Sequence, residues 1–210
     1  MNDIKRISPV VFDSVPVKTK NINNFEVVME YKDEKIGPYL IDLSHKTRFD
    51  LQDSKLESIK ILGTKIPVIP GSSALAKQLL INRMNRTQVS IYNLGNEDLD
   101  LSNHSGYTDV TECTLFIALI GKNVFSICEK LTALDFMAED KKTPFLLQGP
   151  FSHVPCQIVA LSTNKDKAGL VLTCSRGYHR DMIHAILDAG EEFGLNPAGE
   201  AKFTDWLKSL

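Results

Sequence analysis

The stretch YTDVTECTLFIALIG (107–121) constrains the fold most. It reads as a strong strand that turns at Gly121 into the helical pattern KNVFSICEKLTAL, where Val124, Ile127, Cys128 and Leu131 form one apolar stripe at i, i+3, i+4 and i+7. A second strand-to-helix unit follows. VPCQIVALST and LVLTCS read as a hairpin across NKDKAG, and YHRDMIHAILDAGEEFG then places Met182, Ile183, Ile186, Leu187 and Phe193 on one broad face before Gly194 stops the helix. Upstream, NFEVVMEYK (24–32) and TQVSIYNLG (87–95) alternate as strands, and YLIDLSHKTRFDLQ (39–52) reads as two short strands broken near Ser44 to Lys46. Two further helices are expected. One runs from Lys55 to Leu62, with Ser54 and Glu57 in capping-box spacing and Gly63 as its stop; the other is ALAKQLLINRM, capped by Ser72 or Ser73. KKTPFLLQGPFSH reads as a proline-marked loop. Paired strands between helices favour an α+β fold of mostly antiparallel sheets with packed helices over a doubly wound parallel sheet.

Residues 1–23 carry Pro9 and Pro16 without a clear period and read as an N-terminal arm. Residues 24–210 then form the folded domain, and any division into two subdomains falls at the polar loop 96–106. With a net charge of -2 there is no overall positive field to draw the chain to nucleic acid or an anionic membrane. No apolar run approaches the roughly 18 residues of a membrane span, and the N-terminus has no leader-like apolar core, so a cytoplasmic protein is expected. Cys113, Cys128, Cys156 and Cys174 are widely separated among apolar neighbours, which reads as buried, reduced thiols.

Nothing in the spacing marks a catalytic centre. There is neither a dinucleotide-binding glycine pattern nor a P-loop, and PGSSALAK reads as ordinary capping or as an anion-holding helix start. His179 and His184 are five apart and do not share a helix face, and His153 and Cys156 lack a further ligand, so no metal site is expected. CSRGYHRD (174–181) is the most polar stretch beside a strong strand. Arg176, His179, Arg180 and Asp181 lie there at a strand-to-helix junction, and the arginines either hold a carboxylate or an acidic partner or form a solvated helix start. Tyr107, Phe151 and Trp206 are candidate interface anchors, with core packing as the alternative for each.

LIDLSHKTRFDLQ (40–52), DVTECTLFIALIGKNVFSICEKL (109–131) and GLNPAGEAKFTDWL (194–207) resemble, in order, three segments of the folate-binding aminomethyltransferase family typified by the T-protein of glycine cleavage. These are its DLSH segment, its DVTD…LALQGP strand and helix, with Lys122 where proline is usual, and its GL.PAG..ARDTLRLE turn and helix. The resemblance covers most of residues 39–207 and implies a fold like the N-terminal part of the T-protein. LVLTCSRGYHRDMIHAILDAGEEFG (170–194) further resembles the closing segment of the γ subunits of heterotetrameric sarcosine oxidases, which are about this size and lack the T-protein's additional domain. The related small subunit of N-methylglutamate dehydrogenase is similar.

Two departures follow from the same overlay. Where folate-dependent members carry acidic residues before a strand, RTQVSIY offers Arg86, Thr87 and Gln88; where they close a helix with glutamate, Lys208 stands. A cation cannot accept the N–H bonds of a pterin ring. Glu200 or Asp205 is the nearest compensating carboxylate. The resemblance therefore implies a γ-type subunit without catalytic residues of its own, in a complex that oxidatively demethylates an N-methyl amino acid. FAD, FMN and NAD would be held by other subunits and the one-carbon unit passed to tetrahydrofolate. In that reading Arg176, Tyr178, His179 and Glu200 are the residues left as weak candidates for contacting a cofactor. The alternative is a stand-alone folate-dependent aminomethyl- or methyltransferase.

Overall fold

A computed structural model describes residues 4–32, 34–97, 99, 101 and 106–210. In chain order the strands are β1 (Pro16–Ile22), β2 (Phe25–Tyr31), β3 (Tyr39–Asp42), β4 (Arg48–Gln52), β5 (Lys60–Ile61), β6 (Thr64–Lys65), β7 (Ser73–Ala76), β8 (Leu79–Arg83) and β9 (Gln88–Asn93). After these come β10 (Tyr107–Asp109), β11 (Thr114–Ile120), helix α1 (Val124–Glu129), β12 (Phe145–Phe151), β13 (Val154–Ser162), β14 (Gly169–Ser175), α2 (His179–Gly190), β15 (Asn196–Ala198) and α3 (Glu200–Lys208). One sheet has the order β12-β13-β14-β11-β3-β15 and a second β10-β4-β9-β8-β7; β1-β2 and β5-β6 are separate hairpins. All pairings are antiparallel except β15 with β3. The architecture is α+β with mostly antiparallel sheets.

The apolar run of β11 is buried along nearly its whole length because both faces of its sheet are covered. Leu115, Ile117 and Leu119 pack with Val124 and Ile127 of α1 and Met182 and Ile186 of α2. Phe116, Ala118 and Ile120 point the other way, to Leu80 of β8, Tyr92 of β9 and Phe203 of α3. A third cluster closes the far side of the second sheet, where Ile81, Val89 and Ile91 meet Leu51, Leu56 and Ile61. The layers are thus two helices, the six-stranded sheet, the five-stranded sheet with α3 beside it, and the β5-β6 cover.

Four expectations are corrected. Residues 16–22 are not arm but β1, in register with β2, and Phe12 ahead of them is buried. The helix expected over 55–62 is a single 3-10 turn at Leu56–Ser58 with no side-chain cap, because the chain turns at once into the β5-β6 hairpin through Leu62 and Gly63, both at positive φ. The helix expected over 74–84 is the β7-β8 hairpin, turning at Lys77 with φ +57°. Its run LLINR is buried on both faces of β8 and so lacks strand alternation; no helix N-terminus for an anion exists at Ser72 or Ser73. The proline-marked loop contains β12, an edge strand that tolerates Pro150.

The strand signal over 107–121 is divided by a 3-10 turn at Thr111–Cys113. β10 joins the five-stranded sheet and β11 the six-stranded one. The polar loop 96–106 lies mostly outside the described residues, but both larger sheets take strands from either side of it. No helix among the described residues is long and apolar enough to cross a membrane.

Candidate functional site

β3 belongs to one large sheet and β4 to the other, so the five residues between them cross from sheet to sheet through the interior. That crossing carries Ser44, His45, Lys46 and Thr47, and with Arg48 every one of them is buried. Polar groups enclosed this way need partners in the protein. Asp42 closes the turn by accepting from the Ser44 N–H at 2.9 Å and from the Ser8 hydroxyl at 2.6 Å. Burial raises its carboxyl pKa against the pull of those bonds.

Arg48 is the largest fully buried side chain. It lies 4.8 Å over the Phe116 ring and donates to the backbone oxygens of Lys46 at 2.6 Å, Thr111 at 2.5 Å and Thr114 at 3.1 Å. Lys46 reaches α3: its ammonium donates to Glu200 Oε1 at 2.8 Å, Asn96 Oδ1 at 2.9 Å and Gly95 O at 3.4 Å. Burial lowers the Lys46 pKa and the Glu200 carboxylate opposes that shift. Three acceptors for three N–H bonds hold the lysine as a cation, an internal tie between the crossing and α3. His45 is driven the other way. Burial, then the Lys46 charge, lowers its pKa to about 3, so the ring is neutral; it bonds the Asn96 side chain, while Nε2 has no partner among the described residues.

Beside this network lies an open cleft of about 650 Å³ between the β7-β8 turn, the segment after β9 and the end of α3. Lys77, Leu79, Asn93, Glu97, Leu207 and Lys208 line it. Asn93 ties the cleft to the buried network, accepting from the Gly95 N–H at 2.9 Å and donating to Thr47 Oγ1 at 3.4 Å. Lys208 therefore does face this cleft, at the position where the overlay expects a glutamate. Gln88 does not. The extended run from Gln88 to Asn93 spans roughly 16 Å, and Gln88 lies at the end away from the cleft, bonded to Asp50 at 3.2 Å. Burial raises the Asp50 pKa. Gln88 and Lys208 therefore stand apart.

The candidates named from sequence are distributed differently from that expectation. Arg176 donates to the Ile7 carbonyl at 2.6 Å and approaches Glu112 at 3.5 Å, while Glu112 also takes Arg6 at 2.5 Å. His179 bonds the Arg176 carbonyl at 3.0 Å, and Tyr178 is exposed. This cluster clamps the N-terminal segment onto the 111–113 turn. Glu200 belongs to the Lys46 network and shares no partner with it. Among the interface candidates Phe151 takes the core-packing alternative: it has no exposed surface and packs beneath the helices, because the β12-β13 turn folds it inward. Tyr107 is half-buried at the head of β10, and half-buried Trp206 lies across Gly169, 5.9 Å from the Phe203 ring. Among the described residues no group of three or more His, Cys, Asp or Glu side chains could hold a metal ion.

Sequence reasoning passed over His45, Lys46 and Arg48 as a polar break between strands. The signal was three basic side chains, H, K and R, within four residues and flanked by LIDL and FDL.

No family model and no curated protein matches the chain. Among solved structures, the chain is similar to a chain of the heterotetrameric sarcosine oxidase from Corynebacterium sp. U-96, determined in complex with pyrrole 2-carboxylate. The TM-score is 0.60 at 12% sequence identity, covering 73% of this chain and 84% of that one. At that identity the likeness is one of fold.

Proposed function

We propose that this chain is a γ-type subunit, without an active site of its own, of a sarcosine oxidase-like complex that oxidatively demethylates an N-methyl amino acid and passes the one-carbon unit to tetrahydrofolate. The observation that carries the reading is a fold shared over most of a chain from a heterotetrameric sarcosine oxidase. Two features of the site support it. The cavity residue at the expected glutamate position is Lys208, and the Gln88 position is turned away from that cavity. The buried charges are consumed in holding the sheets and α3 together, which leaves the carboxylate of Glu200 committed to Lys46.

FAD, FMN and NAD belong in this reading to partner chains, and this chain contributes a docking surface. The test is purification of the tagged protein from cells that encode it. Stoichiometric recovery with flavin-bearing chains is the expected result. Micromolar binding of tetrahydrofolate by the isolated chain, with turnover of an N-methyl amino acid or aminomethyl donor, would refute the proposal and favour a stand-alone transferase.

A further inference from the structure

Two of the four cysteines are brought together by the sheet. Cys156 on β13 and Cys174 on β14 are direct cross-strand partners, and both side chains enter the core cluster beneath α1 and α2. Directly opposed antiparallel residues have Cβ atoms about 4.5–5.5 Å apart, and the Cys174 thiol donates to the Ser175 carbonyl at 3.6 Å. Both are buried, at 5% and 4% exposure, near strand ends where the neighbouring residues Pro155 and Ser175, on the opposite face, are exposed. The other two are isolated: Cys128 is fully buried on α1 and Cys113 is exposed on the 111–113 turn.

We infer that Cys156 and Cys174 form a redox-active dithiol, closed by peroxide to an intrachain disulfide across β13 and β14. The pair is not symmetric: the neighbouring sulfur and burial push the Cys156 thiol up, while Cys174 is lowered by its neighbour. Cys174 is then the attacking sulfur. Its thiolate displaces hydroxide from hydrogen peroxide, giving a sulfenic acid with the sulfur oxidised by two electrons and the O–O bond broken. The Cys156 sulfur attacks that sulfenic sulfur, the S–S bond forms, and the hydroxyl leaves with the Cys156 proton as water. The net change is two thiols and one peroxide to one disulfide and two waters.

β14 runs from this pair directly into Arg176, which holds the N-terminal segment at Ile7. The crosslink would fasten the strand that anchors that clamp.

The experiment uses the full chain carrying Cys113→Ser, which removes the exposed thiol and leaves three of the four cysteines. After hydrogen peroxide and denaturation, the expected thiol count falls from three to one, the mass falls by two hydrogen atoms, and proteolysis joins the peptides containing Cys156 and Cys174. Adding Cys156→Ala removes the resolving sulfur, so a dimedone adduct should appear at Cys174 in place of the crosslink. Retention of all three thiols, or oxidation of Cys174 no faster than Cys128, overturns the inference. The crosslink itself is read on protein with both residues intact, so a poorly folded Cys156→Ala chain leaves the test standing.

Discussion

Acidification should destabilise this protein through one histidine. His45 is 2% exposed and its pKa in the folded chain is about 3, lowered first by burial and then by the neighbouring Lys46 ammonium. In the unfolded chain the ring returns to about 6.5. Below that value the unfolded state takes up a proton that the folded state refuses, so His45 contributes stability that is complete above about 6.5 and is lost as pH falls toward about 3. At pH 5 the loss amounts to about 2 kcal/mol, which is about 1.4 kcal/mol for each of roughly 1.5 pH units below the unfolded value. Because pH 5 lies well above the folded pKa, the unfolded pKa alone sets this figure. For a chain of this length, about 2 kcal/mol corresponds to about 4–8 °C in melting temperature.

The assay is urea unfolding of the wild type and His45→Asn at pH 7.5 and pH 5. The substitution also disturbs packing, so its absolute stability is uninformative; the informative quantity is how the difference between the two proteins changes with pH. The wild-type advantage should shrink by about 2 kcal/mol on acidification. Asp42 and Asp50, both raised by burial, titrate in either protein and cancel. Parallel pH profiles for the two proteins would show that the ring is protonated or solvated in the fold, and the buried network described above would be wrong.

Lys46→Met should cost about 3–5 kcal/mol, because it leaves the Glu200 carboxylate enclosed without its counter-charge; adding Glu200→Leu should recover most of that. Chemical denaturation of both variants checks this, and a single substitution costing under about 1 kcal/mol contradicts a buried pair. Gly169→Ala puts a methyl group into the space filled by the Trp206 ring. As the chain has one tryptophan, its emission should shift to the red as the ring is displaced toward water; an unchanged spectrum means Trp206 does not rest on Gly169.

The strands β9, β13 and β14 and the helix α2 were readable from period and stop signals. Their patterns match what their surroundings demand: Met182, Ile183 and Ile186 face one core and Gly194 adopts φ +70° to end the turn beyond α2. β8 was not readable, because it is sandwiched. Leu80 enters the cluster between the sheets and Ile81 the cluster beyond, so both faces are apolar and the run mimics one stripe of a helix. Its turn at Lys77 carries no Gly, Asn or Pro to announce it. β12 was hidden for the opposite reason. Gly149 and Pro150 usually signal a loop, but at a sheet edge the missing proline donor faces away from the ladder.

The same logic explains why resemblance informs the fold more than the chemistry. The segment LIDLSHKTRF is the crossing between the two large sheets, and its polar side chains are spent on that crossing: Asp42 on Ser44 and Ser8, Arg48 on the carbonyls of Ser44, Lys46, Thr111 and Thr114, Lys46 on Glu200. A chain that crosses between sheets in this way must satisfy the donors it buries, so these residues have a structural reason to be there whatever the cavity does. The cleft beside them is lined by Lys208 and by Lys77, which sits in a left-handed turn that costs a residue with a side chain about 1–2 kcal/mol.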